Sequence, residues 1–455
     1  MAPVEKLVLS LAGPSIIIMV ISAIYNMTDT YFVSSLGTSQ IAAVGIAFPL
    51  MHLIQAIGFF FGQGSGNYMS RALGARDTGG ASRMAVTGLI SAFAVMAVIA
   101  AAGIIAVEHL TTGLGATETI RPYAQEYNFF ILLASPWMVA VTVLNLQLRF
   151  QGSAAIAMTG MLSGAILNIF LDPLFIFVFG LGIKGAGIAT MISQMVSFTI
   201  LFFYGTTRRD NIRIKLTHFS LSVSRCGEIF HGGIPGLLRQ SLMSISVIII
   251  NHFAHPYGDA AIAGISIANR ISMFAASVVL GFGQGFQPVC GFNYGAKLYN
   301  RVKKAFWFCV CFCCCVLFVL CIVMAVFAPE IIMFFRRDDP HVIAIGAFGL
   351  RLHCISLPFI AWVIMVNMMT QTMGRVLEAS IVALARQGVF LIPSIFLLGP
   401  LLGLNGIQLA IPVSELAGLV IVIPIMIKTL KILSAPGNER SEGQGREESP
   451  SPSFN

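Results

Sequence analysis

The chain alternates between long apolar runs and short polar breaks. Twelve runs reach roughly 20 residues or more, the length at which a helix crosses about 30 Å of hydrocarbon. The first run is too long for the apolar core of a cleavable signal peptide, so we expect it to span the membrane as well. The predicted spans lie near residues 7–35, 41–70, 82–107, 122–148, 154–179, 185–206, 226–251, 259–290, 302–328, 342–372, 378–402 and 404–430.

The composition agrees with a bilayer environment. Hydrophobic residues make up 57% of the 455 positions and charged residues only 10%, whereas a soluble domain carries about a quarter charged residues. The 44 glycines and 19 prolines are tolerated in membrane helices, where neighbouring helices satisfy the freed backbone groups. The sequence therefore predicts an all-α polytopic membrane protein.

The net charge of +8 does not indicate nucleic-acid binding, because the cations lie in short loops between apolar runs. With the N-terminus inside, Arg76, Arg149, Lys303 and Lys304 fall on the cytoplasmic side, while few cations such as Lys184 fall on the other. This distribution is the positive-inside pattern. It predicts a multi-pass protein of the plasma (cell inner) membrane with both termini in the cytoplasm.

Six of the nine cysteines fall in one apolar run, between residues 309 and 321. No histidine or acid accompanies them, and the spacing is not that of a zinc site. We interpret them as small apolar packing residues and expect neither a metal cluster nor a disulfide framework.

The first half of the chain repeats in the second at a shift of 221 residues. Pro14 falls on Pro235, and the segment FGQG occurs at 61–64 and again at 282–285. Each half holds six predicted spans, so both halves enter the membrane from the same side and the repeats are parallel. We expect two parallel six-helix lobes around a central cleft. The predicted parts are an N-terminal lobe at 1–206, a cytoplasmic inter-lobe loop at 207–225, a C-terminal lobe at 226–433 and a disordered cytoplasmic tail at 434–455.

Two segments resemble the multidrug and toxic compound extrusion (MATE) family. GPSIIIMVISAIYNMTDTYFVSSLGTSQIAAVGIAFP is similar to that family's first helix and the start of its second, and NIFLDPLFIFVFGLGIKGAGIAT is similar to its fifth and sixth. The resemblance extends to about residue 432. It implies efflux of small organic molecules, often cationic and amphipathic, driven by inward movement of H⁺ or Na⁺.

The resemblance also implies an ion-coupling site inside the first lobe. Its ligands would be Asp29, Asn168, Asp172 and Thr190. Tyr25, Tyr127 and Asn145 are similar to the polar surroundings of that site, and Pro14 to a hinge in helix 1. Na⁺ could bind at the four ligands, and no cofactor other than the coupling ion is expected.

The positions of these residues along the spans support the same site. Asp29 and Asp172 are the two carboxylates deep in apolar segments of the first half, and Thr190 lies at a similar depth on helix 6. A carboxylate at the bilayer centre costs about 2.5–3.5 kcal/mol or more, so such residues usually mark ion pathways. Two acids, an amide and a hydroxyl suit either a proton or a hard cation. The remaining alternative is that the two acids only bond helix to helix.

The second half departs from the family pattern, because it carries arginines at membrane depth. They are Arg239, Arg270, Arg351 and Arg386, with Glu415 on helix 12. One interpretation is a positively charged cavity that favours anionic or neutral substrates. The other is that Glu415 pairs with one arginine while the others bond backbone carbonyls freed near prolines.

The functional prediction is a secondary antiporter of the multidrug efflux type. The alternative is a flippase for a lipid-linked precursor, to which an arginine-rich lobe would be suited. No nucleotide loop, metal-ligand cluster or nucleophile–base pair indicates an enzyme. The expected partners are small amphipathic substrates and the lipid bilayer, without nucleic acid or an obligatory protein partner, and the chain is expected to act as a monomer.

Overall fold

A computed structural model describes residues 3–34, 36–114, 116–207, 212, 216–335 and 339–434. Twelve helices in this part of the chain are long and apolar enough to cross a membrane, which confirms the predicted fold class. They are α1 Val4–Ser34, α2 Thr38–Gly74, α3 Thr78–Ile105, α4 Arg121–Phe150, α5 Ala154–Val178, α6 Ile183–Thr207, α7 Val223–Ala254, α8 Asp259–Gly295, α9 Tyr299–Val326, α10 Pro340–Thr372, α11 Val376–Leu402 and α12 Leu404–Leu433.

Two of these helices are interrupted by π-helical turns, which hydropathy does not predict. The last turn of α5 is π-helical over Leu174–Val178, directly after Pro173. A second π segment, Ala385–Leu391, lies inside α11. Two short helices, Val107–Gly113 and Ala328–Phe335, follow α3 and α9.

The sequence repeat is also a repeat of side-chain bonding. Asn145 on α4 donates its side-chain N–H to the carbonyl of Ala157 on α5 at 3.0 Å. Asn367 on α10 makes the same bond to Ala379 on α11 at 2.7 Å. In both hairpins the turn contains a glycine in the left-handed region, with φ of 87° and 80°, a conformation that a side chain would strain. The two hairpins are therefore built alike.

The described residues form two compact units, and the boundaries between these units fall inside helices. One unit consists of the described residues of Gly13–Leu237, and the other of those of Met1–Ala12 and Leu238–Pro450. The first unit thus includes the first half of α7, and the second includes the start of α1. A division by chain order at the loop 207–225 would assign both segments to the opposite units.

The glycine that ends each FGQG segment explains the packing of these exchanged segments. In the first unit Gly64 on α2 lies against the backbone carbonyl of Ile229 on α7, so that a methyl group on Gly64 would overlap that oxygen. In the second unit a Cβ on Gly285 of α8 would lie 2.6 Å from the backbone nitrogen of Ala12 on α1. Close backbone approach of this kind requires glycine.

Helices α4 and α10 are the central helices of their units. In each of these two helices, 67% of the residues in an apolar stretch of 18 are buried, whereas the corresponding fraction in the other spans is 22–39%. Side chains of α4, including Tyr127, Ile131 and Leu144, contribute to an extensive hydrophobic cluster of the first unit. These central helices therefore provide a fixed support for side chains on the helices packed around them.

Candidate functional site

Close packing of α5 on α6 brings the predicted ligands of the first unit together. Gly164 on α5 faces the side chain of Ser197 on α6, and Gly160 faces Leu201, with no room for a side chain at either glycine. Because small residues let helix backbones approach closely, the next turns of α5 place Asn168 and Asp172 beside α6.

The amide of Asn168 links the two helices. Its nitrogen donates to Asp172 Oδ1 at 3.3 Å. Turning the amide by 180° lets the nitrogen donate to Asp172 Oδ2 at 3.0 Å and lets the oxygen accept from the backbone N–H of Thr190 at 3.3 Å. Asn168, Asp172 and Thr190 are each no more than 1% exposed. The structure thus brings three of the four predicted ligands together in a buried cluster.

Several polar atoms near this cluster have no protein partner among the described residues. They include the Oγ1 of Thr190 and the Oγ of Ser193, three residues later on the same face. On α4, both polar side-chain atoms of the buried Asn128 also have no partner among the described residues. A buried hydroxyl or amide without a hydrogen bond is costly. Carboxylate, amide and hydroxyl oxygens are ligands that a hard cation prefers. A proton could bind to the carboxylate instead, and the neighbouring oxygens could then accept a hydrogen bond from the carboxylic acid.

Tyr127 lies on α4, next to this helix pair. Tyr127 is fully buried. Phe130, one turn later on α4, packs closely on Gly187 of α6: a Cβ added to Gly187 would lie 2.7 Å from the Cβ of Phe130. Gly187 is one turn from Thr190, so Tyr127 lies on the part of α4 that adjoins the cluster. Asn128 and Ser193 were missed in the sequence, although Asn128 follows the predicted Tyr127 directly and Ser193 lies three residues after the predicted ligand Thr190.

The remaining first-half predictions have different outcomes. The side chains of Tyr25 and Asp29 lie outside the described residues, so their part in the site stays a prediction. Asn145 bonds the carbonyl of Ala157 at 3.0 Å and accepts from Arg149 Nη1 at 3.3 Å, at the hairpin rather than at the cluster. Pro14 lies inside the continuous helix α1, next to the boundary between the two units.

In the second unit the structure brings together three of the five predicted charged residues. Arg386 on α11 places its Nη1 at 3.9 Å from Glu415 Oε1 on α12. Arg239 on α7 is close enough to Arg386 for their like charges to interact. By contrast, Arg270 and Arg351 are exposed, and Arg351 Nε donates to the backbone carbonyl of Ala325 at 3.2 Å.

The hydroxyl of Ser356 on α10 supports Glu415, whose Oε2 accepts a short hydrogen bond from it. The backbone carbonyl of His353 lies 3.2 Å from the same hydroxyl and is the alternative acceptor for its one proton. The ring Nδ1 of His353 shares a hydrogen bond of 2.6 Å with Ser272 on α8. Sequence reasoning missed these residues. The available signal was that His353 and Ser356 are three residues apart and therefore share a face of a mainly apolar span.

Twelve apolar helices with a buried polar cluster in each compact unit define a multi-pass membrane transporter. A sequence profile for the MatE family matches residues 14–174 and again residues 235–397. The chain therefore belongs to the MatE family of multidrug and toxic compound extrusion (MATE) transporters, as the resemblance indicated.

Curated relatives and solved structures agree with this family. The "Multidrug export protein MepA" of Staphylococcus haemolyticus is 28% identical over 411 residues, covering 90% of each chain. A "Crystal structure of MATE in complex with MaL6" matches with a TM-score of 0.90 at 28% identity, over 95% of this chain and 98% of that one. An "Outward-facing conformation of a multidrug resistance MATE family transporter of the MOP superfamily" matches with a TM-score of 0.89 at 28% identity, over 95% and 97%.

Proposed function

We propose that this transporter exports small amphipathic organic compounds in exchange for H⁺ or Na⁺, with both termini in the cytoplasm. The coupling ion would bind at Asp172, Asn168 and Thr190 together with Asp29, and no other cofactor is required. The buried cluster between α5 and α6 is the observation that carries this proposal. Membership of the efflux family, and relatives named for multidrug export, support the direction of transport and favour it over lipid-precursor flipping.

The cluster is suited to an ion that is gained on one side of the membrane and lost on the other. Asp172 is fully buried and accepts a hydrogen bond from the neutral amide of Asn168, and a buried carboxylate is a group that a cation or a proton stabilises. Coupling requires that ion and substrate prefer different conformations of the transporter, since equal affinity for both shifts no population. Pro14 in α1 is the residue at which we expect the helix to bend.

Transport in proteoliposomes tests the proposal. A panel of cationic, neutral and anionic fluorescent dyes is offered under an imposed pH gradient, an imposed Na⁺ gradient, or neither. We expect at least one dye to move against its own gradient only when one of the two ion gradients is present. Collapsing that gradient with an ionophore should stop transport.

Asp172→Asn is the diagnostic variant, because it keeps the shape of the side chain and removes its charge. It should abolish the response to the gradient. The matched control is Glu126→Gln, which removes an acid of α4 that pairs with Lys184 at 3.1 Å and is 40% exposed, so it should leave transport unchanged. Dye movement that is indifferent to both gradients, or a normal response in Asp172→Asn, would contradict the proposal.

A further inference from the structure

The second unit contains a cluster of charges that the ion-coupling site does not use. Arg239 lies near the midpoint of α7, Arg386 in α11 and Glu415 in α12. Arg386 and Glu415 approach to 3.9 Å, with side chains 22% and 12% exposed, and Arg239 lies within electrostatic range of Arg386. Arg386 pairs with the one carboxylate and Arg239 lies near Arg386, so two guanidinium groups and one carboxylate leave the cluster one positive charge in excess.

The carboxylate of this cluster is held in place by its neighbours. Ser356 on α10 donates to Glu415 Oε2, and three residues before it on the same helix His353 shares a hydrogen bond with Ser272, which fixes this part of α10 against α8. At 3.9 Å the contact between Glu415 and Arg386 is an ion pair, but it is longer than a charge-assisted hydrogen bond of about 2.7–2.9 Å. Glu415 is thus a fixed counter-ion that does not saturate Arg386.

Arg239 has no ion-pair or hydrogen-bond partner in the described part of the chain, although it is partly buried in a membrane span. A guanidinium group carries five N–H donors in a planar fork, and holding it within a membrane helix without an acceptor is costly. An oxyanion between Arg239 and Arg386 would satisfy both forks and remove the excess charge.

The repeat shows that these charges are not part of the shared architecture. At the shifts of 221 and 222 residues, the first-half counterparts of Arg239, Arg386 and Glu415 are Ile18, Gly164 and Gln194, none of which is charged. Conversely, the counterpart of Asp172 in the second half is Ser394. The buried acid of the first unit and the arginines of the second therefore occupy different positions of the repeated fold.

A π-helical segment accompanies the charged residues in both units. Arg386 lies within the π segment Ala385–Leu391, and the π segment of the first unit begins two residues after Asp172. Single π turns occur frequently at functional sites, because the widened turn re-aims side chains and frees backbone groups. One π segment begins beside Asp172 and the other contains Arg386. This parallel favours a ligand-binding role for the charged cluster of the second unit as well.

We propose that Arg239 and Arg386 bind the oxyanion of an organic substrate, a carboxylate, sulfonate or phosphate, and that Glu415 is the counter-ion which the substrate displaces. The proposal rests on the proposed function, since it names the chemical class of the exported compound. Glu415 competes with the substrate for Arg386. When no substrate is bound, Glu415 therefore neutralises the charge of Arg386 and holds its side chain in position. An amphipathic acid should accordingly bind better than a neutral or cationic compound of the same shape.

Equilibrium binding of a matched set of probes tests the assignment. The purified protein is placed in nanodiscs of zwitterionic phosphatidylcholine, and binding of 1-naphthoate is compared with that of 1-naphthamide and 1-naphthylmethylammonium. We expect saturable binding of naphthoate at least about tenfold tighter than that of the other two, the value of one charge-assisted hydrogen bond. Arg239→Gln and Arg386→Gln should each weaken naphthoate binding by about tenfold or more.

Two further variants distinguish a specific loss of naphthoate binding from misfolding of the protein. Glu415→Gln removes the competing carboxylate and should strengthen naphthoate binding, which a disrupted fold could not do. Arg351→Gln is the matched control, because Arg351 is exposed and its guanidinium bonds only a backbone carbonyl in the described structure; it should bind naphthoate as the wild type does.

Three outcomes would overturn the inference. They are equal affinity for naphthoate and naphthamide, unchanged naphthoate binding in both Arg239→Gln and Arg386→Gln, or no saturable binding of naphthoate to the wild type. The assay involves no ion gradient, so its failure is distinct from failure of the proposed antiport. Gradient-driven export of a cationic dye in a protein that does not bind naphthoate would refute only the oxyanion site.

Discussion

Replacing Thr190 by valine should raise the stability of the ion-free transporter and reduce the further stabilisation that the coupling ion provides. Thr190 is 1% exposed, and its Oγ1 has no hydrogen-bond partner among the described residues. Valine has nearly the same shape as threonine without the hydroxyl. A buried hydroxyl that lacks a partner costs about 1–3 kcal/mol, so we expect the ion-free protein to be stabilised by about 1–2 kcal/mol in Thr190→Val.

The coupling ion should reverse this advantage. If Oγ1 is one of its ligands, removing the hydroxyl weakens ion binding by about tenfold, which corresponds to about 1.4 kcal/mol. Ligand binding stabilises a protein by mass action. The increase in stability on adding Na⁺, or on lowering the pH, should therefore be smaller in Thr190→Val than in the wild type.

The free cysteines provide the assay. Cys290, Cys309, Cys313 and Cys321 are buried, so a thiol-reactive fluorescent dye reports unfolding as these side chains become accessible. Melting is followed in sodium-free choline buffer at alkaline pH, then with added Na⁺, then at acidic pH. Thr199→Val on the same helix is the control, because Thr199 is exposed and its hydroxyl already donates to a backbone carbonyl at 2.8 Å.

The reasoning would be refuted by a Thr190→Val variant that is less stable than the wild type without ions and keeps the full response to them. That result would mean that the hydroxyl is an ordinary structural hydrogen-bonding group. A gain in stability with an unchanged ion response would reject Thr190 as a ligand while leaving the charge of Asp172 to be tested by transport.

Two further predictions concern the fold. Asn145→Ala and Asn367→Ala should each lower stability by about 0.5–1.5 kcal/mol, because each removes a buried hydrogen bond to the next helix. Comparable losses in thermal melts of the two variants would confirm that the hairpins are equivalent, and no loss in either would contradict it. Gly64→Ala and Gly285→Ala should reduce the yield of monodisperse protein in size-exclusion chromatography, because the methyl group meets backbone atoms of a neighbouring helix. Gly45→Ala on α2 is the control, since nothing lies within 4 Å of a Cβ at that position, and it should be neutral or stabilising; losses as large in this control would refute the packing argument.

The fold was predictable because its main signals are local in the sequence. An apolar run long enough to span a bilayer identifies a helix without any knowledge of its neighbours. The internal repeat likewise appears by aligning the chain with itself. The π segments were not predictable, because an extra residue in a helical turn leaves hydropathy unchanged.

The candidate sites were predictable only in part, for a geometric reason. Asn168 and Asp172 are four residues apart and share a helix face, so their contact follows from the sequence. Which arginine meets Glu415 depends on the rotation of helices around their axes, and hydropathy carries no information on that rotation. The choice of Arg386, and the link between Ser272 and His353, therefore required three-dimensional coordinates.

The exchange of helix ends between the two compact units has a consequence for biogenesis. The unit Gly13–Leu237 is not complete when its sixth span leaves the ribosome, because the surface of α2 around Gly64 is covered only after the start of α7 has been synthesised. The start of α1 finds its packing partner later still, because Ala12 packs against Gly285 on α8, which is synthesised after α7. A gene cut between the two halves would thus encode fragments that mature only when they are produced together.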